Sequence, residues 1–276
     1  MTIVQALEQR DLWSKQFERD GFLVIRRLFT TSEIDMLRDL FMRENAYGPV
    51  PGLSEINSRY APEDPLSQYP RMMQPHRHAD RPIGPISTDR MLDPRIREVL
   101  QALFDEEPIA AQSMFYFKPP GARGQDLHQD NFYLRVHPGT CIAAWTAIDA
   151  ADEENGTLVV VPGSHKLPVA CPERADSTRF FTTDHLDVPE GMHVEPLILE
   201  PGDVLFFNGS LIHGSYENVS KDRFRRAFIC HYVPTSSTEV SSGYRPLLQF
   251  DGVEVEKAGA SGGGPCGVVG EPVGRH

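Results

Sequence analysis

The chain has 276 residues, 40% of them hydrophobic, a formal net charge of −12 and a pI near 5.3. That content can bury a sizeable core in one domain with helical decoration, and the acidic balance argues against nucleic acid and against an anionic membrane surface as partners. No apolar run approaches the roughly 18 residues that a membrane-spanning helix needs.

The first residues reach charge at Glu8 without an apolar leader. Cys141, Cys171, Cys230 and Cys266 are scattered with no Cys-x-x-Cys pair, so reduced thiols in a cytoplasmic protein are expected rather than a zinc framework. An amphipathic helix is predicted over residues 5–19, with Leu7, Trp13 and Phe17 among charged neighbours. Asp20-Gly21 turns the chain into a short apolar strand, Phe22-Leu23-Val24-Ile25. Thr30 and Glu33 then have capping-box spacing, ahead of Ile34, Leu37, Leu40 and Phe41 at helical intervals. Residues 49–88 are rich in Pro, Gly and Ser and read as a long irregular segment of the kind that often serves a function. Their basic cluster, Arg71, His76, Arg77, His78 and Arg81, suggests a lip that binds an anion. Asp93-Pro94 starts another helix, with Ile96, Val99, Leu100, Leu103 and Phe104 on one face.

Beyond residue 105 the pattern is one of strands: 112–117, 141–148, 156–161, 196–199, 204–207 and 224–233. Residues 164–195 look like an insertion. From 252 the chain is Gly-rich and has too few large apolar groups to order itself, so residues 252–276 are expected to be a flexible tail. Helices first and strands after imply a mainly β protein with flanking helices, its core two sheets packed in jelly-roll (cupin-like) fashion. The expected division is a single domain over 1–251, helical over 1–105, with the jelly roll over 106–235.

One stretch carries chemistry. In Asp126-Leu127-His128-Gln129-Asp130-Asn131, strand alternation would point His128 and Asp130 to one side and Gln129 away. Leu211-Ile212-His213-Gly214-Ser215 offers a third ligand from a distant strand. Two His and one carboxylate make the facial triad of non-haem Fe(II) oxygenases, with positions left open for a co-substrate and O₂. Arg225 lies on the next strand, where its guanidinium could grip a carboxylate with two hydrogen bonds. Ser215 could add a hydroxyl. A carboxylate clamp beside an iron site suggests a 2-oxo acid as co-substrate.

His128-Gln129-Asp130, Trp145-Thr146-Ala147, the segment from Asn155 to His165, Gly202 to Phe207, Ile212-His213-Gly214-Ser215 and Phe224-Arg225-Arg226-Ala227 together resemble the phytanoyl-CoA dioxygenase family. The likeness covers most of residues 15–235, with its motifs in order. It implies a double-stranded β-helix core and dependence on Fe(II), 2-oxoglutarate and O₂. By resemblance, His128, Asp130 and His213 are the iron ligands, and Arg225 with Ser215 binds the distal carboxylate of 2-oxoglutarate. Trp145 and Met114 match residues that line the co-substrate pocket, and Gln112 matches a Gln of related ectoine hydroxylases. The loop after His213 is one residue longer than the family pattern, which leaves Arg226 and Arg223 as alternative clamps; alignment on Phe-Arg-x-Ala favours Arg225.

The implied reaction is hydroxylation of an unactivated C–H bond of a small molecule, with release of succinate and CO₂. Related halogenases replace the carboxylate ligand by a small residue, and Asp130 keeps it. The alternative is a cupin-like hydrolase or binding protein using the same three ligands. The basic cluster, together with Arg123 and Arg135, points to an anionic substrate, with Arg77 and Arg135 as candidate substrate-binding residues. Oligomeric state is not legible in the sequence.

Overall fold

Thr30 caps as its spacing predicts. Its hydroxyl accepts the Glu33 N–H at 3.4 Å, and the Glu33 carboxylate accepts the Thr30 N–H at 2.8 Å. The helix so started, Thr31–Ala46, buries Ile34, Leu37 and Phe41. Asp93 likewise accepts the Arg95 N–H ahead of helix Pro94–Phe104. Glu33 then ties its helix to Pro94–Phe104 through Arg95 and to a third helix, Ile83–Met91, through Arg90. The computed structural model describes residues 3–56, 60–260 and 266.

The major sheet runs, in spatial order, Phe22–Ile25, Val204–Asn208, Ile142–Ala147, Ala227–Pro234, Pro108–Tyr116, Leu247–Leu248 and Glu254–Val255; Met72–Met73 also pairs with Pro108–Tyr116. Period-two alternation divides its residues between two cores. Ala144, Phe206, Phe228 and Tyr232 face the helices, where Phe41 stacks on Phe115 at 4.0 Å between ring centroids. Trp145, Leu205, Phe207 and Ile229 face the other way. There they meet the minor sheet, Gln125–His128, His213–Ser215, Leu158–Val160 and Glu195–Pro196. This is the jelly-roll arrangement, although the two sheets share no strand and do not close into a barrel.

The structure corrects several expectations. Residues 49–88 are not wholly irregular. They hold helix Pro65–Gln68, strand Met72–Met73 and the start of helix Ile83–Met91. Their basic cluster is committed internally and forms no open anion lip. Arg71 pairs with Glu55 and the Tyr116 hydroxyl, Arg81 with Glu44, and Arg77 donates to the carbonyls of Tyr244 and Pro246. The expected flexible tail begins with ordered structure: Glu254–Val255 pairs with Leu247–Leu248, and Ala258–Gly259 runs parallel to Glu239–Val240. These segments are held by backbone ladders, which do not require large side chains. Of the remaining tail, residues 261–265 and 267–276 lie outside the described residues.

Cys171 and Cys266, expected to be reduced, form a disulfide with Cα atoms 5.1 Å apart across a sequence separation of 95. Spacing along the chain does not report proximity in space, so the cysteine pattern carries no argument about compartment. Cys141 and Cys230 are free and buried.

His76 is buried with its Nδ1 2.7 Å from the Ser113 hydroxyl. Burial first, then the Arg77 charge, pulls its pKa down from 6.5 to about 3. The unfolded chain therefore binds a proton that the folded chain refuses. This contribution to stability is complete above pH 6.5 and is lost as pH falls towards 3, at up to about 1.4 kcal/mol per pH unit. A His76→Gln variant is expected to flatten the dependence of the urea midpoint on pH across that window.

Candidate metal centre

His128 ends the first strand of the minor sheet, and His213 begins the neighbouring strand as its register partner. Each imidazole is oriented through Nδ1, which lies 2.7 Å from the Asp126 carbonyl in His128 and 3.0 Å from the Leu211 carbonyl in His213. Their Nε2 atoms lie 3.5 and 3.6 Å from Asp130 Oδ1. All three side chains are buried, and their ligand atoms fall within 4.8 Å of one another. Asp130 does not sit in a strand. With φ −61° and ψ −34° it precedes the one-turn helix Asn131–Leu134. The side chains therefore converge through a strand-to-helix turn rather than through simple alternation. Gln129 does face away, donating to the Ser210 carbonyl and accepting from the Ala170 N–H.

Gly214 lets the two strands approach. A Cβ there would lie 2.7 Å from the Gln125 carbonyl oxygen. Burial first, then the neighbouring His128, pulls the His213 pKa down to about 4. At neutral pH this leaves the uncharged imidazole that a metal requires.

The second Asp130 oxygen lies 2.9 Å from Nε2 of the buried His231. A carboxylate ligand held on its outer oxygen keeps its orientation, and loss of such a partner typically weakens metal binding about 10–100-fold. A His231→Phe variant is expected to lose metal affinity within that range while keeping its fold, measured by metal titration and circular dichroism. Strand parity with Arg225 allows His231 to face the cavity, but the sequence favours a satisfied core histidine, and only the fold reveals its bond to Asp130. The sequence reading also missed Gln125, whose amide nitrogen lies 3.0 Å from His128 Nε2 and lines the same cavity.

Beside the His128–Asp130–His213 triad the cavity is walled by Met114, Tyr116, Trp145, Ile229, Ser215 and Arg225. Arg225 is 2% exposed, its Nε donates to the Gly156 carbonyl at 3.0 Å, and its guanidinium lies 5.4 Å from the centre of the Trp145 ring. Burial pulls its pKa down to about 10. Its Nη1 is buried with no hydrogen-bond partner among the described residues. The alternative clamps are engaged elsewhere: Arg223 pairs with Asp152 and Glu154, and Arg226 with Asp149. Gln112 is buried opposite His231 in register and does not line this cavity. Nor do Arg77 and Arg135. Arg77 is anchored on carbonyls 167 and 169 residues away, and Arg135 follows the helix Asn131–Leu134 in the left-handed conformation, φ 52°.

A second cavity adjoins Tyr116 and Arg225 and is lined by Tyr60, Arg71, Lys118 and Phe181. Here residues 49–88 meet the 164–195 insertion: the Tyr60 hydroxyl donates to the Phe181 carbonyl at 3.3 Å, and Arg123 bridges Asp64 to the Ser177 carbonyl.

Two imidazoles and a carboxylate suit Fe(II), and a buried guanidinium beside them with an unsatisfied Nη1 suits a dicarboxylate. A double-stranded β-helix with these parts defines a 2-oxoglutarate-dependent non-haem iron oxygenase. The family model described as phytanoyl-CoA dioxygenase matches residues 17–227, and the chain belongs to that family. The peroxisomal phytanoyl-CoA dioxygenase of Bos taurus is 31% identical over 245 residues, covering 83% of this chain and 68% of that protein. Among solved structures, the epimerase SnoN in complex with Fe³⁺, alpha ketoglutarate and nogalamycin RO superposes with a TM-score of 0.66 at 18% identity, over 87% of each chain. AviO1 from Streptomyces viridochromogenes superposes at 0.63 and 22% identity, over 83% of this chain and 96% of that one. Among the described residues no helix is long and apolar enough to cross a membrane.

Proposed function

We propose that the chain hydroxylates an unactivated C–H bond of a small anionic metabolite, with His128, Asp130 and His213 holding Fe(II) and Arg225 with Ser215 holding the distal carboxylate of 2-oxoglutarate. The observation that carries this reading is Arg225 Nη1, buried beside the triad with no partner among the described residues. When bound, the metal and its co-substrate supply the oxidising chemistry, and the 2-oxo acid leaves as succinate and CO₂. The protein's own task is positioning and exclusion of water. Trp145 and Met114 wall the co-substrate pocket, and His231 steadies Asp130. The Tyr60–Phe181 and Asp64–Arg123–Ser177 contacts join two segments suited to act as a lid.

Anion selection is supported by the second cavity, where Lys118 and Arg225 line the wall and the carboxylate there, Glu55, is already paired with Arg71. Asp130 favours hydroxylation over halogenation. Of the solved structures to which this chain is similar, SnoN is described as an epimerase and SnoK as a carbocyclase, so product analysis must accompany any turnover assay. A hydrolase or binding protein with the same ligands would have no use for a buried guanidinium at Arg225.

The test is succinate release from 2-oxoglutarate by the Fe(II)-loaded protein in air, across a panel of CoA esters, carboxylic and amino acids and phosphonates. Succinate should rise with one substrate class, together with a hydroxylated product, and should vanish in His213→Ala. Tight metal binding without succinate under any condition would favour the hydrolase or binding protein.

A further inference from the structure

The disulfide joins an exposed Cys171, in the 164–195 insertion, to a partly exposed Cys266, beyond the tail strand Ala258–Gly259. Both of the segments it joins close on the turn that carries the metal ligands. On the insertion side, the N–H of Ala170, next to Cys171, donates at 2.9 Å to the side-chain oxygen of Gln129, the residue between His128 and Asp130. Further along, the Leu186 N–H donates to the Leu127 carbonyl at 2.9 Å, and the Asp184 carboxylate accepts from the Tyr133 hydroxyl.

On the tail side, the N–H groups of Ala258 and Ala260 donate to the Thr238 and Val240 carbonyls, each at 3.1 Å. The adjoining Ser241 N–H donates at 2.8 Å to the Leu134 carbonyl, and Val240 packs with Leu134 in one buried cluster. Leu134 in turn donates its N–H to the Asp130 carbonyl at 3.1 Å. The turn is therefore gripped before Asp130, at Gln129, and after it, at Leu134. Among the described residues no strand ladder joins the two grips: the insertion pairs only Glu173–Arg174 with Asp184–His185, and the tail strand Ala258–Gly259 only with Glu239–Val240. The S–S bond links them directly.

We infer that the Cys171–Cys266 pair is a redox modification site: a dithiol reductant opens it, and the opened form holds metal less tightly. A thiolate of the reductant attacks one sulfur and forms a mixed disulfide, and its second thiol then closes the reductant into its own disulfide. Two electrons and two protons pass to the protein, which gains two thiols. Cys171 and Cys266 are reachable for that exchange, whereas Cys141 and Cys230 are buried. Opening the link unties the insertion from the tail, so that Gln129 and Leu134 are no longer held by one closed frame. A ligand turn held less rigidly costs metal affinity, as loss of any outer partner does. This inference rests on the reading of His128, Asp130 and His213 as metal ligands.

The test compares the full chain, oxidised, with the same chain reduced by dithiothreitol and desalted without air. Alkylation with iodoacetamide should modify Cys171 and Cys266 only after reduction, and should spare Cys141 and Cys230 in both forms. Co(II) titration should give a Kd roughly tenfold higher for the reduced chain. Cys266→Ser in air should reproduce that rise, with Cys171→Ala as the second variant if the first does not fold. By linkage, bound Co(II) should shift the dithiol equilibrium towards the disulfide by the same factor. In Gln129→Leu, which cuts the insertion's grip, reduction should change the Co(II) Kd far less. Equal metal affinity in the two redox forms overturns the inference, as does alkylation of Cys171 and Cys266 without reductant. Alkylation of Cys141 and Cys230 after reduction, or an undiminished effect in Gln129→Leu, marks a general staple and overturns it too. A wild-type chain that binds no metal in either form would instead sink the reading of the triad, and this inference with it.

Discussion

Asp130→Ala is expected to lose metal binding and, with it, all succinate formation. One Asp130 oxygen faces both imidazole Nε2 atoms, and the other is held by His231. The substitution removes the only anionic donor of the triad and strands two buried imidazoles. Loss of an outer partner alone costs about 10–100-fold in metal affinity, so loss of the ligand itself should cost roughly a thousandfold or more. Titration with Fe(II) or Co(II), followed by competition with a chelator, measures this directly. An affinity within tenfold of wild type would mean that the metal, if any, is held elsewhere.

The second large effect is expected at Arg225, and its signature is a divergence between binding and stability. Arg225→Met removes a charged fork from a site built around it. Each hydrogen bond to a charged group contributes about 1.5–3 kcal/mol, so two of them predict a rise in the KM for 2-oxoglutarate of about 10²–10⁴-fold. The fold should not suffer in proportion. The guanidinium is fully desolvated, with its pKa pulled down to about 10, and forms no ion pair among the described residues. Replacing a buried charge by an apolar side chain of similar volume is often neutral or stabilising. The urea midpoint should therefore hold or rise while KM climbs. A variant that unfolds early and binds 2-oxoglutarate normally would mark Arg225 as scaffold.

What could be read in the sequence followed from local rules. The Thr30–Glu33 capping box and the Asp93-Pro94 helix start depend on a few adjacent residues, and both appear where spacing puts them. The convergence of His128, Asp130 and His213 was legible because ligand types are few and their spacing suits two neighbouring strands. What stayed hidden depends on contacts distant in sequence. His231 lies 101 residues from the carboxylate it bonds, and Lys118 lies 97 from the Ser215 hydroxyl it bonds. A lysine ahead of Pro-Pro-Gly reads as exposed turn chemistry until the strands around it are assembled. The basic cluster misled for the opposite reason. Its charges look free in the sequence, but Glu55, Glu44 and the carbonyls of Tyr244 and Pro246 lie outside the cluster.

The pairing of His128 with His213 has one more consequence. These residues face each other across adjacent strands but are far apart along the chain. An ion bound between them would act as a removable cross-link, closing a long loop of the polypeptide much as a covalent staple does. Metal supply would then be a variable of the protein's persistence as well as of its turnover. At a free metal concentration a thousandfold above Kd, mass action alone adds about 4.1 kcal/mol to the folded state. Such a molecule, starved of metal, would be lost to unfolding and degradation sooner than its loaded counterpart.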